Sequence, residues 1–276
     1  MNVLTIDKRA QILNCLVEGC SMRSTQRLCG VAKKTVERML LTAGEACAAF
    51  MDKAMRNLPC TLIQVDEIWS FTHCKQANVP AHLKGAKDIG DTWTWIAMCS
   101  KTKLVPCFHV GKRDAVDAYK FISDLSTRLA SRVQLTSDGH KAYLQAVEDA
   151  FGCEIDYAQL IKLYGNETGP AMDVRYSPPP CIGARKKRIS GNPDERLVST
   201  SHIERQNLTV RMGNRRFTRL TNAFSKKQEN HVLHAYIHFM HYNFCRIHTT
   251  LRVTPAMEAG IADHVWTLEE VVALIP

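Results

Sequence analysis

The chain of 276 residues has eleven cysteines and no Cys-x-x-Cys pair among them. An odd, scattered set supplies neither a disulfide framework nor a zinc knuckle, and it implies a reducing compartment. Long apolar runs are also missing. Nothing approaches the roughly 20 apolar residues of a membrane span, and no apolar stretch of signal-peptide length follows Met1–Arg9. A soluble cytoplasmic protein without a membrane partner is expected. Internal repeats are absent, which excludes solenoids and propellers. Acidic residues are scarce beside basic ones, 27 against 36, leaving a formal charge of +9. Such a balance favours an acidic polymer as partner. The surplus is local: Ala184–Lys227 holds twelve Lys/Arg and three Asp/Glu, which alone gives +9.

Three short helices are expected over Asp7–Gly19, Met22–Leu28 and Lys33–Ala46, punctuated by Gly19 and Gly30. The segment Ser24–Arg38 reads as a helix-turn-helix. Ser24 is placed to cap its first helix, Cys29–Gly30–Val31 to make the tight turn, and Leu28, Val31, Val36 and Leu40 to fill the angle. Lys33, Lys34, Thr35 and Arg38 would then face a major groove.

From Pro59 the texture becomes that of strands, expected at Cys60–Phe71, Thr92–Ser100 and Leu104–Val110. A helix with apolar Ala118, Phe121, Ile122 and Leu125 follows over Asp114–Ser131. Next come a strand Arg132–Thr136, a helix through Ala142 and Val147, and a strand Ile155–Leu163. The fold class is therefore mixed α/β behind an all-α N-terminal segment. Pro178–Pro180 and the basic run Arg185, Lys186, Lys187 and Arg188 are expected in a loop over residues 165–198 that orders on contact with a partner. Thr200–Arg219 and Lys226–Phe244 read as helices. The second carries His231, His234, His238 and His241 at three- and four-residue steps, a row assigned to solvent or to DNA rather than to zinc.

Two aspartates and a glutamate stand out. Asp66 lies inside the apolar run Thr61–Glu67, Asp138 follows Val133–Ser137, and Glu204 sits in the helical Ser201–Asn207. A carboxylate in or beside a buried strand is costly unless a cation balances it, and oxygen ligands suit magnesium, with manganese as the alternative ion. Glu67 is the rival ligand, but on a strand it points opposite to Asp66 and fits a supporting role.

Val65–Phe71, Ser137–Tyr143 and Ser201–Arg211, followed by Tyr242–Leu251, Thr254–Pro255 and Glu258, resemble DDE transposases of the insertion-sequence-one family. That resemblance spans about Val65 to Gly260. It implies a ribonuclease H-like core over 58–260 with an insertion at 165–198, an end-binding helix-turn-helix domain over 1–50, and a C-terminal tail over 261–276. It further implies that Asp66, Asp138 and Glu204 are the catalytic triad and hold two magnesium ions for cutting and joining DNA strands. Arg205, Asn207, Arg211, Arg215 and Arg216 would contact DNA beside them, while for His202 two readings stand equally, contact with the DNA or the metal-bound water and plain packing near the helix start. The implied partners are double-stranded element ends and target DNA, bound by a homo-oligomer in a prokaryotic nucleoid. A domesticated regulator that no longer cuts, and a nuclease acting on RNA–DNA hybrids, are the competing functions.

Overall fold

The computed structural model describes residues 4–86, 88–165, 180–219 and 222–276. Residues 166–179 of the expected insertion, Pro178 and Pro179 among them, lie outside these.

Three N-terminal helices form where the spacing predicts them. The first, α1 (Ile6–Val17), is capped by Thr5, whose hydroxyl accepts from Lys8 N, and buries Ile12, Leu13, Leu16 and Val17. Ser21, rather than Ser24, caps α2 (Met22–Cys29). Ser24 sits one turn on and meets the Ser21 hydroxyl at 2.9 Å. Gly30 ends α2 in the left-handed region, at φ 64°, and returns its N–H to Gln26 O. The angle is filled by Cys29, Val36 and Leu40, whereas Leu28 is 62% exposed, because the helix turns its Thr25–Cys29 side inward. Helix α3 (Lys33–Ala54) runs two turns beyond the expected end. Its apolar stripe continues through Cys47 and Met51, so packing outweighs the turn signals in the sequence.

Six strands form one mixed sheet: β1 (Leu62–Thr72), β2 (Gly90–Cys99), β3 (Phe108–Gly111), β4 (Val133–Ser137), β5 (Ile155–Tyr164) and β6 (Cys181–Ser190), in the order β3-β2-β1-β4-β5-β6. Strands β1, β2 and β3 pair antiparallel; β1, β4 and β5 run parallel; β6 returns antiparallel to β5. The first five strands have the order expected of a ribonuclease H-like core. Helix α4 (Ala115–Ser126), capped by Asp114, connects β3 to β4, and α5 (Ala142–Phe151) connects β4 to β5. Being central, β1 buries residues on both faces, so its polar Gln64, Glu67 and Ser70 are buried along with its apolar side chains.

The basic run does not stay in a loop. Lys186, Lys187 and Arg188 stand opposite Leu160, Gln159 and Ala158 on β5, and Arg185 opposite Ile161. Strand β5 would otherwise offer an open row of backbone donors and acceptors, and a lysine- and arginine-rich edge strand closes it while resisting further pairing.

The last third of the chain folds back on the first. Helix α6 (Ser201–Gly213) packs on β1 and β2, and a 3₁₀ turn at Arg215–Phe217 ends the helical run before the expected Arg219. Helix α7 (Gln228–Met240) packs along α3 and continues as a π-helical turn, His241–Cys245. The histidine row faces inward. His231, His234 and His238 are buried, because α7 is wedged between α3 and the sheet and has no wide solvent face. Burial holds His231 and His238 down to about 3 and His234 well below its ordinary value, so these imidazoles are neutral core groups. The final residues are no loose tail. After the short helix α8 (Pro255–Glu258), the capping box of Thr267 and Glu270 starts α9 (Leu268–Ala273), which buries Val271 and Val272 against α1 and α3. Phe50, Phe244 and Trp266 meet at centroid distances of 4.9 to 5.4 Å and join the two ends of the chain.

Candidate active site

Register decides where the carboxylates meet. Gln64 on β1 is paired with Thr136 on β4 in parallel. Asp66 and Asp138 each lie two residues further along, hence on the same side, at the point where the two strands part. Gln64 fixes α6 to this face, its amide oxygen accepting from the N–H groups of His202 at 3.0 Å and Ile203 at 3.1 Å. That anchor brings Asn207 over β1, where its amide donates to Asp66 Oδ2 at 2.8 Å. Asp66 Oδ1 accepts from Glu67 N, and Asp138 Oδ1 accepts from His140 N, both at 2.9 Å.

The electrostatics agree with this convergence. Burial first, then the charges of Glu67 and Asp138 and more weakly Glu204, push the Asp66 carboxyl up to about 7. Glu67 takes the opposite side of the sheet, as the strand period requires. Its buried carboxylate accepts from Arg113 Nε at 2.6 Å and from the Tyr143 hydroxyl at 2.9 Å. Burial and the charge of Asp138 still raise it above the usual carboxylate range. The pair Arg113 and Tyr143 is what keeps this fourth carboxylate in place. Tyr143 stands in the Asp138–Tyr143 motif, but Arg113 carried no sequence signal.

Glu204 is turned aside. Its Oε1 pairs with Lys162 Nζ of β5 at 2.6 Å and also accepts from the Thr200 hydroxyl. Among the described residues no three His, Cys, Asp or Glu side chains are gathered tightly enough to hold a metal ion as they stand. The donor set nevertheless fits a hard divalent cation. Asp66 and Asp138 retain unshared oxygen lone pairs, the neighbouring Asn207 Oδ1 is buried without a partner, and a lysine fills the cation's place at the third carboxylate.

Solved structures similar to this chain include the piggyBac transposase synaptic complex with hairpin DNA, at 9% identity and a TM-score of 0.42 over 98% of this chain and 70% of that one. The Mos1 mariner paired-end complex with Mn is 12% identical with a TM-score of 0.23, over 55% of this chain and 58% of that one, so less than two thirds of its length is spanned. The Mos1 strand transfer complex is 11% identical with a TM-score of 0.25, over 88% and 78% of the two chains. No protein-family model and no curated protein matches the chain.

Asn207 is buried on Asp66 and holds it, rather than facing outward. Arg211, one turn on, is half-buried with its Nε unpartnered; Arg205 and Arg215 are exposed, while Arg216 is half-buried. His202 sits against Lys103 Nζ at 3.2 Å, and burial and that lysine lower its pKa. Lys33, Lys34 and Arg38 are exposed on one side of α3 with Thr35 half-buried beside them. The closing signature is a brace: Asn243 bonds both the N–H and the C=O of Val105 at 3.0 Å, and the Tyr242 hydroxyl donates to Lys103 O.

Proposed function

We propose that the chain is a DDE-type transposase of the insertion-sequence-one kind, which cuts and joins DNA strands at a site built from Asp66, Asp138 and Glu204. The observation that carries this reading is the shared field of the carboxylates: Asp66 is raised to about 7 by burial and by Glu67, Asp138 and Glu204 together. A fold has no structural use for such crowding. It leaves charge to be neutralised, and the surrounding chain is basic.

Asp66, Asp138 and Glu204 are the residues that would hold magnesium or manganese, which when bound supplies Lewis-acid stabilisation of the attacking and leaving oxygens of a phosphodiester. This chain's own side chains do the rest. Asn207 fixes the direction of Asp66, His140 N orients Asp138, and Arg113 with Tyr143 holds Glu67 on the opposite side of β1. Arg211 stands one turn along α6 from Asn207, within electrostatic reach of Asp66. Its free Nε suits a phosphate oxygen.

Within this reading residues 1–50 read the element's ends as a helix-turn-helix, with Lys33, Lys34, Thr35 and Arg38 on the groove, and residues 58–260 cut. The exposed Arg185, Lys186, Lys187 and Arg188 add phosphate contacts from the sheet edge. Both ends of an element must be held at once, so the active form is a homo-oligomer. The test is strand cleavage and joining of linear DNA bearing the element's ends, with magnesium, by wild type and Asp66→Asn.

A further inference from the structure

A second site lies apart from the carboxylates. Between the start of α2 and α3, the end of β1 and residues 214–219 and 222–230 is a cleft of about 1190 Å3. Arg23 and Lys33 line it from the helical side, and Lys75, Arg219 and Lys226 from the other. Glu37 is the one carboxylate facing them among its described lining residues.

Its floor is Arg216. That guanidinium donates to the Ser225 hydroxyl, and among the described residues no carboxylate pairs with it. A cation taken out of water without a counter-charge is costly, and an arginine fork is suited to a phosphate. One wall is aromatic. Phe224 packs on Phe71 at 4.9 Å, Phe71 on Trp69 at 5.7 Å, and Lys75 Nζ stands over both Trp69 and Phe71. Of these rings, Phe71 and Phe224 line the cleft, and Phe224 is partly exposed.

Aromatic faces beside a cationic groove are how proteins hold single strands, since each base offers a face for stacking and each phosphate a charge. A volume of about 1190 Å3 is that of a small-ligand cleft, which runs to roughly 1,000 Å3, so a nucleotide or two fits and a double helix does not. One side chain is within electrostatic reach of both the cleft and Asp66. Arg211 is attracted by Asp66 on one side and repelled by Arg219 of the cleft on the other.

We propose that this cleft holds a short unpaired stretch of the DNA strand next to the strand being cut, with a phosphate on Arg216 and a base against Phe224. This rests on the reading of the chain as a DNA strand-transfer enzyme, but its test does not need strand chemistry. Fluorescence anisotropy with the full chain in EDTA compares a labelled oligothymidylate with a labelled blunt duplex of equal length. Phe224→Ala and Arg219→Gln, both at positions with solvent contact, should each weaken oligothymidylate binding about tenfold and duplex binding far less. Arg216→Gln should do the same, and the two other variants decide the matter if it fails to fold. Oligothymidylate binding equal to wild type in Phe224→Ala and Arg219→Gln overturns the proposal. So does an equal loss for duplex, which would make the cleft part of a duplex surface. Either failure leaves the cleavage reading standing, and loss of the cleavage reading would leave single-strand binding to be measured in the same way.

Discussion

Replacing Asp66 by asparagine should make the metal-free protein more stable at neutral pH. A carboxyl held at about 7 in the fold, against its ordinary 3.8, binds a proton more tightly folded than unfolded. Between those pH values the native state therefore carries more protons, and its stability falls as pH rises. The contribution is fully present below pH 3.8 and lost above pH 7, where ionised Asp66 costs the fold ~4 kcal/mol. An amide removes that cost without changing shape. The Asn207 side chain can turn over, offering its now unpartnered Oδ1 to the new amide in place of the N–H that Asp66 accepts. Urea unfolding in EDTA would be followed at pH 5 and pH 8 for wild type and Asp66→Asn. The variant's advantage should grow by about 3 kcal/mol between the two, since other groups cancel in the difference. An advantage that does not change with pH would refute the argument that burial, with the neighbouring carboxylates, raises Asp66.

Three further outcomes are expected. Lys162→Met should free Glu204, and calorimetric titration with Mn2+ should show affinity higher by about three- to tenfold; unchanged or weaker binding would remove the lysine from the site. Lowering the pH should destabilise the fold through its buried imidazoles. His238 is neutral in the fold, with a pKa down at about 3, but titrates near 6.5 when unfolded, so the loss runs from pH 6.5 downward. The drop in urea stability from pH 7 to pH 5 should be ~2 kcal/mol smaller in His238→Leu than in wild type. Gly44→Ala should destabilise despite alanine's better helix propensity, because a Cβ there meets Leu233 Cβ at 2.5 Å and Leu233 O at 2.8 Å. The propensity gain of about 1 kcal/mol is outweighed by an overpacking cost of about 1–3 kcal/mol or more, read from thermal unfolding.

The parts that were legible in the sequence share a strong period or a buried charge. Strand β1 announced itself by the apolar residues Leu62, Ile63, Val65, Ile68, Trp69 and Phe71 around Asp66 and Glu67, and the opposite facing of these two follows from the strand period alone. The order of strands and helices was equally plain, because α4 and α5 each carry a full apolar stripe. What stayed hidden depends on partners distant in sequence. Nothing local distinguishes a histidine row facing water from one wedged between α3 and the sheet, and α7 is enclosed on most sides. Arg185–Arg188 looks unable to form a packed element until the open edge of β5 supplies a mate. Leu28 yields the core to Cys29 through a rotation of about one residue. Arg113 and Lys162, which hold Glu67 and Glu204, come from a loop and a strand far along the chain, so no spacing could reveal them.

The most direct measurement of the central claim uses linear DNA carrying the element's ends, with magnesium, and compares wild type with Asp66→Asn after both are shown to be folded. The account predicts nicked and joined strands with wild type, and loss of both by at least about a hundredfold in a variant that is as stable or more so. Cleavage that survives the substitution, or a folded wild type that neither nicks nor joins, would contradict it.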